Sequence, residues 1–172
     1  EQQEMSFYFL AAIAARKGFY PLALELVEKG LVKNSHNIKA RGLKAAILRK
    51  LGKTEEEKEW LKENEKVDCF DDMKQALKAR MRNFHQNFIQ AAIDYMESGC
   101  YEEALGLLNI CDKEWPMLYY YRAECLYELG KEAEAKEMIA KADAADSYCC
   151  FPNRLEDIKV LELAMKLQPE FP

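Results

Sequence analysis

The sequence predicts an all-α fold, a right-handed superhelical solenoid of stacked helix pairs. Three observations carry this expectation. Four glycines, Gly18, Gly52, Gly99 and Gly130, each follow one apolar-periodic run and precede another. The residues around them align: Phe7-x2-Leu10-Ala11 leads into Gly18 and Ala23-x3-Val27 follows it, while Phe88-x2-Ala91-Ala92-x2-Tyr95 leads into Gly99 and Ala104-x3-Leu108 follows. Tyr119-x2-Arg122-Ala123-x2-Leu126 and Ala135-x3-Ile139 flank Gly130 in the same way. Finally, seven Gly and five Pro in 172 residues leave little chain for loops. One helix pair cannot bury its own apolar face, so the pairs must stack.

Each element follows in order. Residues 4–37 read as a first pair, with Pro21 in the opening turn of its second helix, where the missing N–H costs nothing. Residues 38–70 read as a second, degenerate pair. Gly18 and Gly52 are 34 residues apart, so register is kept. Its second helix opens at Thr54 with Glu57 three residues on, a capping-box spacing. Glu57 also falls where the other pairs carry a small residue, which leaves Trp60, Leu61 and Val67 to supply the buried face. Between Gly52 and Gly99 the interval grows to 47 residues. Met73, Leu77 and Met81 at i, i+4 and i+8 predict a linking helix over 71–82. A third pair covers 85–112 and a fourth 117–145, after which a terminal helix spans 154–168. The expectation is one array over 1–172 with about ten helices, read as a piece of a longer protein because it opens on Glu1 and stops at Pro172 inside a repeat.

These motifs resemble tetratricopeptide repeats, with aromatic, large and small positions on the first helix, a turn Gly, then Ala and a large residue on the second. A narrower resemblance rests on Arg41-Gly42-Leu43-Lys44-Ala45-Ala46 running into Leu51-Gly52, on Ala91-Ala92-Ile93-Asp94-Tyr95, and on Tyr148-Cys149-Cys150-Phe151-Pro152-Asn153-Arg154-Leu155-Glu156. These stretches are similar to the repeat tail of large bacterial proteins that also carry a β-rich, carbohydrate-related domain of unknown function. That resemblance implies a tail segment without the β-rich domain. The clamp of chaperone-binding members, Lys and Asn one turn apart on the first helix, is replaced here by Tyr8 and Ala12, and in the second repeat by Gly42 and Ala46.

Composition narrows the function. A net charge of −5 argues against nucleic acid, because phosphate binding needs a basic stripe. The basic cluster from Lys39 to Lys50 reads as a solvated helix face. No apolar run approaches the roughly 20 residues of a membrane span. Six cysteines occur without C-x2-C spacing, and His36 and His85 lie far from them, so neither a metal nor a cofactor is expected. Cys111 and Cys125 fall at small core positions, whereas Cys100 in a turn is expected to be more exposed. Free thiols favour a reducing, cytoplasmic compartment. No phosphate loop or hydrolase motif occurs, and the carboxylate pairs Glu102–Glu103 and Glu55–Glu57 are expected on solvated faces, so the chain reads as non-enzymatic.

The expected role is a protein-interaction scaffold. In such repeats the positions one and five residues after the signature aromatic face a concave groove. They place Tyr120 and Glu124 there, with Tyr127 and Glu128 at its floor or rim, and Ile89, Ile93, Met96 and Glu97 on the preceding repeat. The tyrosines suit peptide recognition, offering rigid area and a hydroxyl, but they also suit contacts between repeats. An apolar strip with an acidic rim would favour a peptide with apolar anchors and Lys or Arg flanks. Two other readings compete: an accessory segment that positions or oligomerises the β-rich domain, and a thiol-based metal or redox module. Ile158, Leu161 and Met165 on the terminal helix are expected to form a sticky face for self-association.

Overall fold

A computed structural model describes residues 2–65, 84–148 and 150–168. Among them are nine α-helices and no strand: α1 (Gln2–Arg16), α2 (Tyr20–Lys33), α3 (Ile38–Lys50), α4 (Thr54–Glu65), α5 (His85–Glu97), α6 (Tyr101–Leu108), α7 (Pro116–Glu128), α8 (Glu132–Ala144) and α9 (Leu155–Leu167). The linking helix expected over 71–82, together with Val67 and Cys69, lies outside the described residues. The chain divides into two compact units, Glu1–Ala76 with Glu97–Cys100, and Leu77–Met96 with Tyr101–Pro172.

The four aligned glycines all take positive φ, at 78°, 71°, 72° and 77°. Only a residue without Cβ adopts this cheaply, and the conformation lets the chain close the helix end. After α1, Phe19 N–H reaches Ala14 O and Gly18 N–H reaches Ala15 O; the same pair of bonds recurs at Lys53–Leu48 with Gly52–Arg49, and at Lys131–Leu126 with Gly130–Tyr127. Each turn thereby satisfies two carbonyls that a helix end would otherwise leave unpaired.

In the first unit α1 packs on α2, α2 on α3, and α3 on α4. Ala11, Ala23 and Val27 have no exposed surface. Asn37 caps α3, its side chain accepting from Ala40 N–H at 3.1 Å. Ala45 stands seven residues before Gly52, as Ala11, Ala92 and Ala123 stand before their glycines, which predicts a close-packed crossing there; instead Ala45 is half-buried and Ala46 is 1% exposed. The register of α3 has slipped by one residue, so that Leu43, Ala46 and Ile47 face inward.

Glu57 also departs from expectation. It is buried, and its carboxylate accepts from Arg49 Nε at 2.9 Å and Nη2 at 2.7 Å rather than closing a capping box. Leu61 is surface-exposed, while Trp60 is half-buried and donates its indole N–H to Arg41 O at 3.3 Å. The basic residues of α3 are largely engaged. Lys44 pairs with Glu28 at 2.8 Å and lies 4.3 Å from the centre of the Trp60 ring, and Arg41 Nε donates to Ser35 O at 2.6 Å.

In the second unit one core runs through all five helices, with Phe88, Ala92, Leu108, Tyr121, Ile139 and Val160 among its buried members. Full burial of side chains such as Phe88 or Ile139 contributes about 1.5–3 kcal/mol each. Two polar contacts set the geometry. Arg122 Nη2 donates to Leu108 O at 2.7 Å and Cys111 O at 2.8 Å, closing the C-terminal end of the short helix α6. Asp157, 1% exposed, accepts from Tyr121 Oη at 2.7 Å and from the backbone N–H of Asn153 at 2.8 Å and Arg154 at 3.0 Å. It both caps α9 and fixes that helix on α7. Cys111 and Cys125 are buried here, and in the first unit Cys100, expected to be exposed, is buried too, with its thiol directed at Ser98 O. Burial pushes the Cys125 thiol up to about 12, so it stays protonated.

Candidate partner-binding surface

Helix α7 supplies most of the expected groove, and its environment decides which side chains a partner could touch. Pro116 at its start presets φ where no N–H partner is needed. Its apolar residues outnumber what one face can hold, so the helix is packed on several sides. Ile89, Ile93 and Met96 on α5, and Tyr120 on α7, are all in the core, between 1% and 7% exposed. Glu97 and Glu128 are exposed, and Glu124 and Tyr127 are half-buried. The structure therefore places four of these residues in packing and four within reach of solvent.

Tyr127 already has a cation against it. Lys166 Nζ lies 3.1 Å from its hydroxyl and 5.3 Å from its ring centre. Tyr120 turns its hydroxyl to Asp143 at 3.2 Å. Burial, and then the Asp143 charge, push the Tyr120 phenol up to about 12, so it remains a donor at neutral pH. Beside this pair lies a cavity of about 330 Å³, walled by Pro116, Met117, Ala142, Pro152 and Leu161, with Cys150 and Ser147 at its edge. Sequence reasoning located Tyr120 but missed the cavity. Its other walls come from α8, α9 and the segment between them, which share no local motif with α7.

Close to this cavity, across Met117, His85 stacks on Trp115, with ring centres 4.3 Å apart and planes at 26°. Its Nε2 is buried with no hydrogen-bond partner among the described residues. Burial, followed by the charges of Arg154 and Lys113, lowers the His85 pKa and keeps the ring neutral. The Arg154 guanidinium reaches Gln86 O and Gln90 Oε1 at 3.4 Å, tying the start of α9 to α5.

On α9, Ile158 and Met165 are 52% and 62% exposed. Leu161 between them is half-buried against the core. The apolar face expected for self-association is thus interrupted at its middle. Of the expected carboxylate pairs, Glu55 and Glu102 are exposed, Glu103 is half-buried, and Glu57 is inside. Among the described residues no group of three or more His, Cys, Asp or Glu is arranged to hold a metal ion. Among the same residues no helix is long and apolar enough to cross a membrane.

No family model and no curated protein sequence matches the chain. Among solved structures it is similar to a thermophilic TPR protein of Thermus thermophilus, at 19% identity and a TM-score of 0.42, over 97% of this chain and 92% of that one.

Proposed function

We propose that the chain is a non-enzymatic interaction scaffold that binds a protein segment along the exposed edge of α7. The observation that supports this most directly is the combination of Glu124, Tyr127 and Glu128 on a helix held rigid by its own core. Leu118, Tyr121 and Cys125 on the same helix have no exposed surface, so the edge is presented without an ordering cost. Carboxylates beside an aromatic ring suit a segment with an apolar anchor and Lys or Arg flanks. Charges at the edge would chiefly set association rate and salt sensitivity, and the ring would carry affinity. The buried Ile89, Ile93, Met96 and Tyr120 would shape this surface from beneath. Nothing in the helices favours the competing role of positioning a β-rich carbohydrate-related domain, and the interaction reading is kept.

An array of defined peptides, varied in apolar and basic content, tests this reading with the purified chain. Bound sequences should combine apolar anchors with Lys or Arg. Tyr127→Ala should weaken binding by about 1–3 kcal/mol, and Glu124→Lys should slow association most at low salt. Glu137→Lys, an exposed change on α8, is the control. Equal affinity for all three variants and the parent would place the binding surface elsewhere.

A further inference from the structure

We infer that the cavity between α7, α8 and α9 is a lysine-side-chain pocket, the anchor point for a basic partner segment; this rests on the interaction reading above and names what that partner must carry. The cavity, of about 330 Å³, is large enough to admit an unbranched side chain. Its walls are Met117, Ala142, Leu161 and two prolines, which suit a methylene stem. Among the described residues that line it, Asp143 is the only charged group, with no Lys or Arg beside it in the lining. Asp143 is solvent-exposed. The Tyr120 hydroxyl beside it donates to Asp143 and leaves its own lone pairs open to an ammonium N–H. The Ser147 hydroxyl stands at the same edge. An apolar cavity with one carboxylate and two hydroxyl oxygens in its lining is complementary to a primary ammonium on an alkyl stem. A neutral stem would gain nothing from the carboxylate, and an acidic one would be repelled. The neighbouring turn of the same helix shows the pairing at work, since Lys166 seats its ammonium on Tyr127. Charge complementarity with a chain of net charge −5 points to a basic partner segment as the source of the lysine.

The test uses three probes on the full chain with methyl-labelled methionine: the peptide acetyl-Leu-Lys-Leu-amide, its norleucine counterpart, and free hexylammonium. The lysine peptide should shift the Met117 methyl signal and bind about tenfold or more tighter than the norleucine peptide, the range of a charge-assisted hydrogen bond. Asp143→Asn should remove that difference, and Tyr120→Phe should reduce it. Both changes remove polar atoms near the surface, and an unchanged melting midpoint verifies that each variant is folded. Glu137→Lys, an exposed change on α8 away from the cavity lining, should leave the Met117 shift intact. Equal binding of the lysine and norleucine peptides, or lysine binding without a Met117 shift, overturns the pocket while leaving the α7 edge to be judged by the peptide array. A Met117 shift with hexylammonium but not with the lysine peptide also overturns it, because the occupant would then be a free amine.

Discussion

The second and fourth helix pairs share the same turn and then diverge five residues beyond it. After Gly130 the position is Ala135, with no exposed surface, and four residues further Ile139 is equally buried. After Gly52 the position is Glu57, 7% exposed, and Leu61 in the next turn is 36% exposed. One backbone plan therefore supports two solutions. In the fourth pair, α8 closes on α7 through an alanine that allows near contact and an isoleucine that fills the crossing. In the second, a carboxylate occupies the crossing and is satisfied by Arg49, whose side chain remains 49% exposed. A half-solvated pair of this kind is worth about 0.2–1 kcal/mol, far less than a fully buried apolar crossing. The turn specifies that a pair forms; the residue at the crossing decides how firmly.

Exchanging the two crossings should break the comparison most severely. Ala135→Glu would force a carboxylate into a crossing that has no exposed surface and holds no arginine at the position of Arg49, at a cost of about 3–5 kcal/mol. Glu57→Ala should change stability by about 1 kcal/mol or less. Chemical denaturation of Trp60→Phe and Trp115→Phe backgrounds separates the readouts, since each retained indole reports on one unit. Similar losses from the two substitutions would mean that the crossings are equivalent after all.

The register of α3 gives a second, smaller contrast. Ala46→Phe should cost about 1–3 kcal/mol through overpacking, and Ala45→Phe should cost less. A larger loss at Ala45, measured by thermal unfolding, would restore the register read from the aligned glycines.

The smallest effect concerns pH and should appear in the second unit only. The folded His85 has a pKa below its ordinary value, so its stabilising contribution is complete above about 6.5, the unfolded value. It should fade as pH falls through that value towards the lower folded pKa. His85→Gln should flatten the fall in melting midpoint between about pH 7 and 5 relative to the parent. Parallel pH profiles for parent and variant would show that His85 is not the titrating group.

These contrasts also show what could be read from residues alone. Gly18, Gly52, Gly99 and Gly130 were legible because a left-handed turn favours one residue type so strongly. Ala11, Ala92 and Ala123 were legible because each sits a fixed distance before such a turn. The slip in α3 was not, because Ala45, Ala46, Ile47 and Leu48 form a continuous apolar run that supports two phases. Asp157 was hidden for another reason. Its acceptor role depends on Tyr121, 36 residues earlier, and no local pattern marks a carboxylate that will end up inside. The burial of Ile89, Ile93, Met96 and Tyr120 likewise depends on how closely neighbouring helices approach, which a repeat motif leaves open.

Arg122 has a consequence for how such a chain can change length. The interval from Gly99 to Gly130 is 31 residues, three short of the interval between Gly18 and Gly52. The shortfall appears at α6, which stops after eight residues where α2 runs for 14. Losing that turn leaves few backbone N–H groups for the carbonyls at this helix end, and Leu108 O meets that of Cys111 at a long 3.3 Å. The guanidinium of Arg122 supplies the missing donors from the next helix, at a position that holds Leu10, Lys44 and Ala91 in the other repeats. A single side chain here splices a deletion of about one helical turn. Arg122→Leu should therefore destabilise this shortened unit, although a leucine stands at the matching position, Leu10, of the longer first pair.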